Sequence, residues 1–235
     1  MRLTPLILLL PLAACASVES KNTLTDGLFA DLTATAGGTG MTRAQATLRV
    51  GGGMSTTYVE LVGDDALTVT SGDVTETLLV MSLGDYYTYG ADFDGDAADT
   101  PFSFAFTRSV DAGAPESTTS LPAPFALTGP TANAVFARAT DPLVVTWGDA
   151  GTDDAMQVTV SGDCIFDHYV AVEGDPGTVT IEPGTLRPID EETPQSCAAK
   201  VVVDRRRTGT LDAGFGEGGA IYGAQSREVG IRLDP

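Results

Sequence analysis

Leu143-Val144-Val145-Thr146-Trp147 is the stretch on which the fold turns. Leu143, Val145 and Trp147 fall on one side of an extended chain, and Val144 and Thr146 on the other. A two-residue period of this kind sets one face of a strand against a core. The period continues downstream in Met156, Val158 and Val160, in Val179 and Ile181, in Ala199, Val201 and Val203, and in Val229, Ile231 and Leu233. Upstream it runs through Ala44, Ala46, Leu48 and Val50, through Val59 and Leu61, through Tyr87, Tyr89, Ala91 and Phe93, and through Phe102, Phe104 and Phe106. No segment beyond Cys15 keeps a helical stripe for three turns. Gly, Asp and Pro punctuate the runs, so the chain reads as all-β.

The part from 130 to 235, with about seven short strands and Trp147 closing an early one, resembles an immunoglobulin-like or fibronectin type III-like domain. The resemblance implies two packed sheets with Trp147 between them. It also makes Asp154–Gly162 the third strand and Ala198–Arg207 the sixth, antiparallel neighbours in one sheet. Residues 28–110 have the same grammar and are expected to form another sandwich. Residues 111–129 carry Pro115, Pro122 and Pro124, which donate no amide hydrogen bond, and read as a connection. Residues 15–27 are polar, unpatterned and expected to be a tether. The expectation is two tandem antiparallel β-sandwich domains after a cleaved signal peptide.

That signal occupies residues 1–14. Arg2 precedes an apolar run from Leu3 to Leu12, and small residues follow. The run is far shorter than the ~20 residues of a membrane span. Leu12-Ala13-Ala14-Cys15 resembles the lipobox of bacterial lipoproteins. The resemblance implies cleavage before Cys15, diacylation of its thiol and a membrane partner reached through the lipid. Ala16 is not the aspartate that resembles an inner-membrane retention signal in enteric bacteria, so outer-membrane placement is expected for a Gram-negative source. With Cys15 lipidated, Cys164 and Cys197 remain as an even pair in an exported chain, and a disulfide is expected.

The 235 residues carry a formal charge of −19, a surface that repels nucleic acid. Asp92, Asp94, Asp96 and Asp99 alternate as calcium-loop carboxylates do, and the stretch resembles the start of an EF-hand or dockerin-like loop. Ala97 stands where that loop has glycine, and Ser103 where it has glutamate. The readings are a calcium site or an acidic hairpin loop; no other cofactor is expected. Gly214-Phe-Gly216-Glu-Gly-Gly219 spells a dinucleotide fingerprint but lies in a β context, and reads as a loop between the last two strands. Arg205-Arg206-Arg207 reads as a strand end facing water. His168 is the only imidazole and no G-x-S-x-G occurs, so no catalytic residues are expected. The chain is thus expected to be a lipid-anchored bacterial envelope protein with a structural or adhesive role, recognising a protein or glycan. The alternatives are an accessory subunit of an envelope transport or assembly complex, and a hydrolase with an acidic site.

Overall fold

The computed structural model describes residues 17–235. The protein is all-β. The first half supplies β1 (Ser17–Glu19), β2 (Leu28–Ala36), β3 (Met41–Val50), β4 (Thr57–Glu60), β5 (Ala66–Ser71), β6 (Val74–Thr77), β7 (Leu79–Leu83), β8 (Tyr86–Asp94), β9 (Pro101–Thr107) and β10 (Ala114–Ser120). The second half supplies β11 (Leu127–Gly129), β12 (Val135–Ala137), β13 (Leu143–Trp147), β14 (Ala155–Gly162), β15 (His168–Val172), β16 (Thr178–Ile181), β17 (Cys197–Thr208) and β18 (Gly219–Asp234).

Two cores form. In the first, β2 and β3 alternate buried and half-buried positions, and their inward sides are mostly small: Ala30, Ala34, Ala36, Ala44 and Ala46 among Leu28, Leu32 and Leu48. The facing sheet, ordered β10-β9-β5-β6, brings Phe102, Phe104, Phe106, Leu67 and Val69 into the same core. Small residues on one sheet make room for rings from the other, which is how a core reaches close packing. In the second core, β11-β13-β16 faces β12-β18-β17-β14-β15. Leu143, Val145, Trp147 and Ile181 meet Met156, Val158, Val160, Val201, Val203, Ile231 and Leu233. Strands β11, β13 and β16 take the places of A, B and E, and β14, β17 and β18 those of C, F and G, the immunoglobulin-type arrangement expected from sequence. Trp147 is buried between the sheets, and β14 pairs antiparallel with β17 from Ala155↔Arg206 to Gly162↔Ala199.

The halves are interlocked. Strands β17 and β18 form one long hairpin, paired from Cys197↔Leu233 to Thr208↔Tyr222. Its tip leaves the second core, and Gly219–Gln225 pair in parallel with Ala30–Ala36 of β2. One sheet therefore runs through both halves, in the order β1-β4-β3-β2-β18-β17-β14-β15. Phe215 and Ile221 lie in the first core. The expected boundary at 130 therefore leaves part of the first sandwich on the C-terminal side.

Two expected linkers are structured. The connection 111–129 contains β10, whose Ser117 and Thr119 are buried against β9. Leu121 enters the first core and Phe125 the second. Of the expected tether, residues 17–27 form β1 and two 3-10 turns fixed to the first sandwich. Arg108, with no exposed side-chain surface, donates to the Ser20 and Thr23 carbonyls and to Thr25 Oγ1, and pairs with Asp65 at 2.8 Å. Buried charge is tolerated when paired and fully hydrogen-bonded, and that requirement orders the polar segment.

Candidate functional site

Cys15 lies outside the described residues. Cys164 and Cys197 form a disulfide, with Cα atoms 5.7 Å apart, joining the end of β14 to the start of β17. The bridge takes up the thiols a cysteine–histidine mechanism would need, and His168 stands opposite Val160 at the start of β15.

The four aspartates are not gathered around a common point, a placement that fits the acidic-loop reading better than the calcium one. Asp92 is bidentate to Arg43 Nη1 at 2.8 and 2.9 Å. Asp96 accepts from the Gly40 amide at 3.1 Å, and its own carbonyl accepts from Gln225. Asp99, in the left-handed region at φ 62°, accepts from Arg207. Asp94 is exposed at the end of β8. Among the described residues no three Asp, Glu, His or Cys side chains are placed to hold a metal. Arg43, the Gly40 amide and Arg207 each take up one of these carboxylates, and Asp96 and Asp99 clamp the hairpin arm.

The arginine run is likewise not a water-facing strand end. Arg205 is wholly buried where the halves meet: it pairs with Asp175 at 2.9 Å and donates to the Ala123, Pro124 and Asp149 carbonyls. Its guanidinium lies 5.0 Å from the Phe125 ring centroid. Burial pushes the Asp175 carboxyl up, but hydrogen bonds from Trp147 and Thr152 and the charge of Arg205 hold it below the usual carboxylate range. Arg207 joins Asp154 of the second half to Asp99 of the first. Arg206 sits over Tyr222.

The glycine-rich motif lies between the last two strands, as its context indicated, and packs the arm. Phe215 stacks on Phe106 with centroids 6.1 Å apart. A side chain at Gly216 would strike the Asp26 backbone, and one at Gly219 the Ala30 carbonyl. Close backbone approach, not phosphate binding, accounts for these glycines.

The surface best suited to recognition is the outward face of β15-β14-β17-β18. Alternation puts Tyr169, Gln157, Thr159, Ser161, Lys200 and Glu228 there, with Met156, Val158, Val160, Val201 and Val203 inside. At the disulfide end, this face opens into a depression of about 460 Å³, lined by Ser161, Gly162, Asp163, Asp167, Ala198, Ala199, Lys200 and Gly230. It exists because its floor is small, and a Cβ at Gly230 would meet open space. Phe166 and Tyr169 flank Asp167 and are 57% and 63% exposed. The Tyr169 hydroxyl donates to Asp167 at 3.3 Å. Hydroxyl, carboxylate and ammonium groups beside exposed rings can hydrogen-bond a polar ligand and stack on its apolar faces. Sequence reading passed over this site, because Phe166-Asp-His-Tyr169 matches no motif; its only signal was two rings placed next to polar residues.

No protein-family model matches the chain, and no curated protein matches it. Among solved structures, chicken CNTN1 FN1-FN3 domains match at 12% identity and a TM-score of 0.28, over 86% of this chain and 63% of that one. This chain thus spans less than two thirds of that fragment. Two fibronectin type III domains of chicken tenascin match at 13% identity and 0.22, over 83% and 96% of the respective chains. Fibronectin(III)-like modules of Clostridium thermocellum CbhA match at 14% and 0.22, over 87% and 89%. At such values the likeness carries no argument about what this chain does; the sandwich reading rests on its own strand order.

Proposed function

We propose that this is a lipid-anchored protein of the bacterial envelope, on the outer membrane in a Gram-negative source, with a non-catalytic recognition role. It presents the outward face of the second sandwich to a protein or glycan. The observation that carries the reading is the depression floored by Gly162, Ala198 and Gly230 with Tyr169 and Phe166 beside Asp167. It lies by β15, at the opposite end of the long sheet from β1, where the anchored terminus enters. A rigid two-core body between anchor and binding face is what presentation at a surface needs.

The test is binding of the intact protein to immobilised glycans and to envelope or matrix proteins, with Gly230→Leu and Tyr169→Ala beside wild type. Gly230→Leu fills the depression without disturbing a core, so it should abolish capture while leaving the melting temperature unchanged. Capture unaffected by both substitutions would remove this face from consideration. Stoichiometric recovery of an envelope complex that survives both would favour an accessory-subunit role instead.

A further inference from the structure

Only Ala16 separates Cys15 from Ser17, the first residue of β1. Two residues span at most about 7 Å, at ~3.6 Å each. If Cys15 carries the lipid, the first sandwich has no tether to lift it from the bilayer. Strand β1 runs parallel to β4 with Ser17 opposite Tyr58, so the chain enters both strands from the same end of the molecule. Met54 lies in the turn leading into β4 at that end. The Tyr58 ring packs edge-on against Tyr86 at 4.7 Å, and Tyr86 pairs with Leu83 across the β7–β8 hairpin. Met54 and Leu83 are 97% and 85% exposed, the highest values of any large apolar side chains among the described residues. Both occur where the N-terminus emerges.

We propose that this end of the first sandwich is a bilayer-contacting face. Met54 and Leu83 enter the interfacial zone of the membrane that holds Cys15, and Tyr58 and Tyr86 lie at head-group depth. The proposal rests on acylation of Cys15, as argued above. Tyrosine rings suit that depth, having an apolar body and a polar tip. Burying two large apolar side chains adds to the lipid's hold and fixes orientation, which attachment at the one residue Cys15 leaves free. The charge of −19 and Asp85 in the same hairpin turn argue for zwitterionic lipid over anionic lipid. The second sandwich is thereby held away from the bilayer.

The test uses the full lipidated chain reconstituted in zwitterionic phosphatidylcholine vesicles with chain-brominated lipid as quencher. Trp147 is the sole native indole and is buried in the second core, so it gives a constant background. Leu83→Trp and Met54→Trp place reporters on the proposed face, and both native side chains are too exposed for the change to disturb a core. Phe166→Trp places one beside β15, at least six strand spacings away along the sheet, roughly 29 Å at ~4.8 Å each. The first two should lose added emission in brominated over unbrominated vesicles, since indoles at the interface lie within reach of the lipid chains, and the third none. Palmitate incorporation with neither reporter quenched overturns the bilayer face and leaves the anchor standing. Absence of palmitate incorporation overturns the anchor and this proposal with it. Emission changes without brominated lipid, accompanied by dimer in sedimentation, overturn the proposal by assigning the face to a second copy of the chain.

Discussion

Two arginines carry much of the specificity of this structure. Arg108–Asp65 and Arg205–Asp175 are ion pairs with no exposed side-chain surface, one in each half. Removing one member strands the other in low dielectric, at a cost of about 3–5 kcal/mol. Arg205→Ala is therefore expected to lower unfolding free energy by that amount in urea titrations. Arg205→Met with Asp175→Leu should recover only part of it: neither charge then needs solvating, but the Trp147 Nε1 and Thr152 donors lose their acceptor. Asp65 and Asp175 titrate below the usual carboxylate range: burial alone would raise them, and their hydrogen bonds and arginine partners outweigh it. A depressed folded pKa means stability that is complete above the unfolded value, about 3.9, and lost as pH falls through the lowered folded values. Acid titration of Asp175→Asn should show a shallower loss of stability over that window than wild type; an identical slope would deny Asp175 this role.

Among the strands and loops, the hairpin arm decides the architecture. Gly219 packs directly on the Ala30 carbonyl, so Gly219→Val should prevent β18 from joining β2 and release the tip, making residues 209–218 the first site of limited proteolysis. The disulfide closes a separation of 33 residues in the second sandwich. Cys164→Ala with Cys197→Ala should cost about 2–5 kcal/mol. Mass spectrometry should find both thiols blocked to alkylation until reductant is added. Strands with strong apolar alternation, such as β3, β9, β13, β14 and β17, were legible, as were the β14–β17 pairing and the cysteine pair. Strand β10 was not, because its inward positions are Ser117 and Thr119 and its prolines suggested a linker. The arm was not legible because its small residues, Gly219, Ala220, Gly223 and Ala224, show no apolar period. What selects them is the nearness of another backbone, which composition does not record. The arginine run misled for a related reason: its partners, Asp175, Asp154 and Asp99, are distant in sequence and become neighbours only in the fold.

The body as a whole should unfold as one unit. Tandem sandwiches joined by a loose connection melt separately, whereas here the last strand is common to both halves and Arg205 and Arg207 bind the connection between them. Calorimetry is expected to show one transition with matching calorimetric and van't Hoff enthalpies. A fragment ending at residue 125 lacks Phe215, Ile221 and the strand beside β2, and should stay unfolded by circular dichroism; independent folding of that fragment would refute the interlock. The shared strand also imposes an order in time. Ala30 leaves the ribosome well before its neighbour Gly219, so the N-terminal sandwich cannot close until synthesis has passed residue 219. Pairing across so long a loop is slow even once the whole chain is available. Nascent chains arrested before residue 219 should therefore remain open to protease. For the exported protein proposed above, this topology keeps the first half threadable until residue 219 has been made.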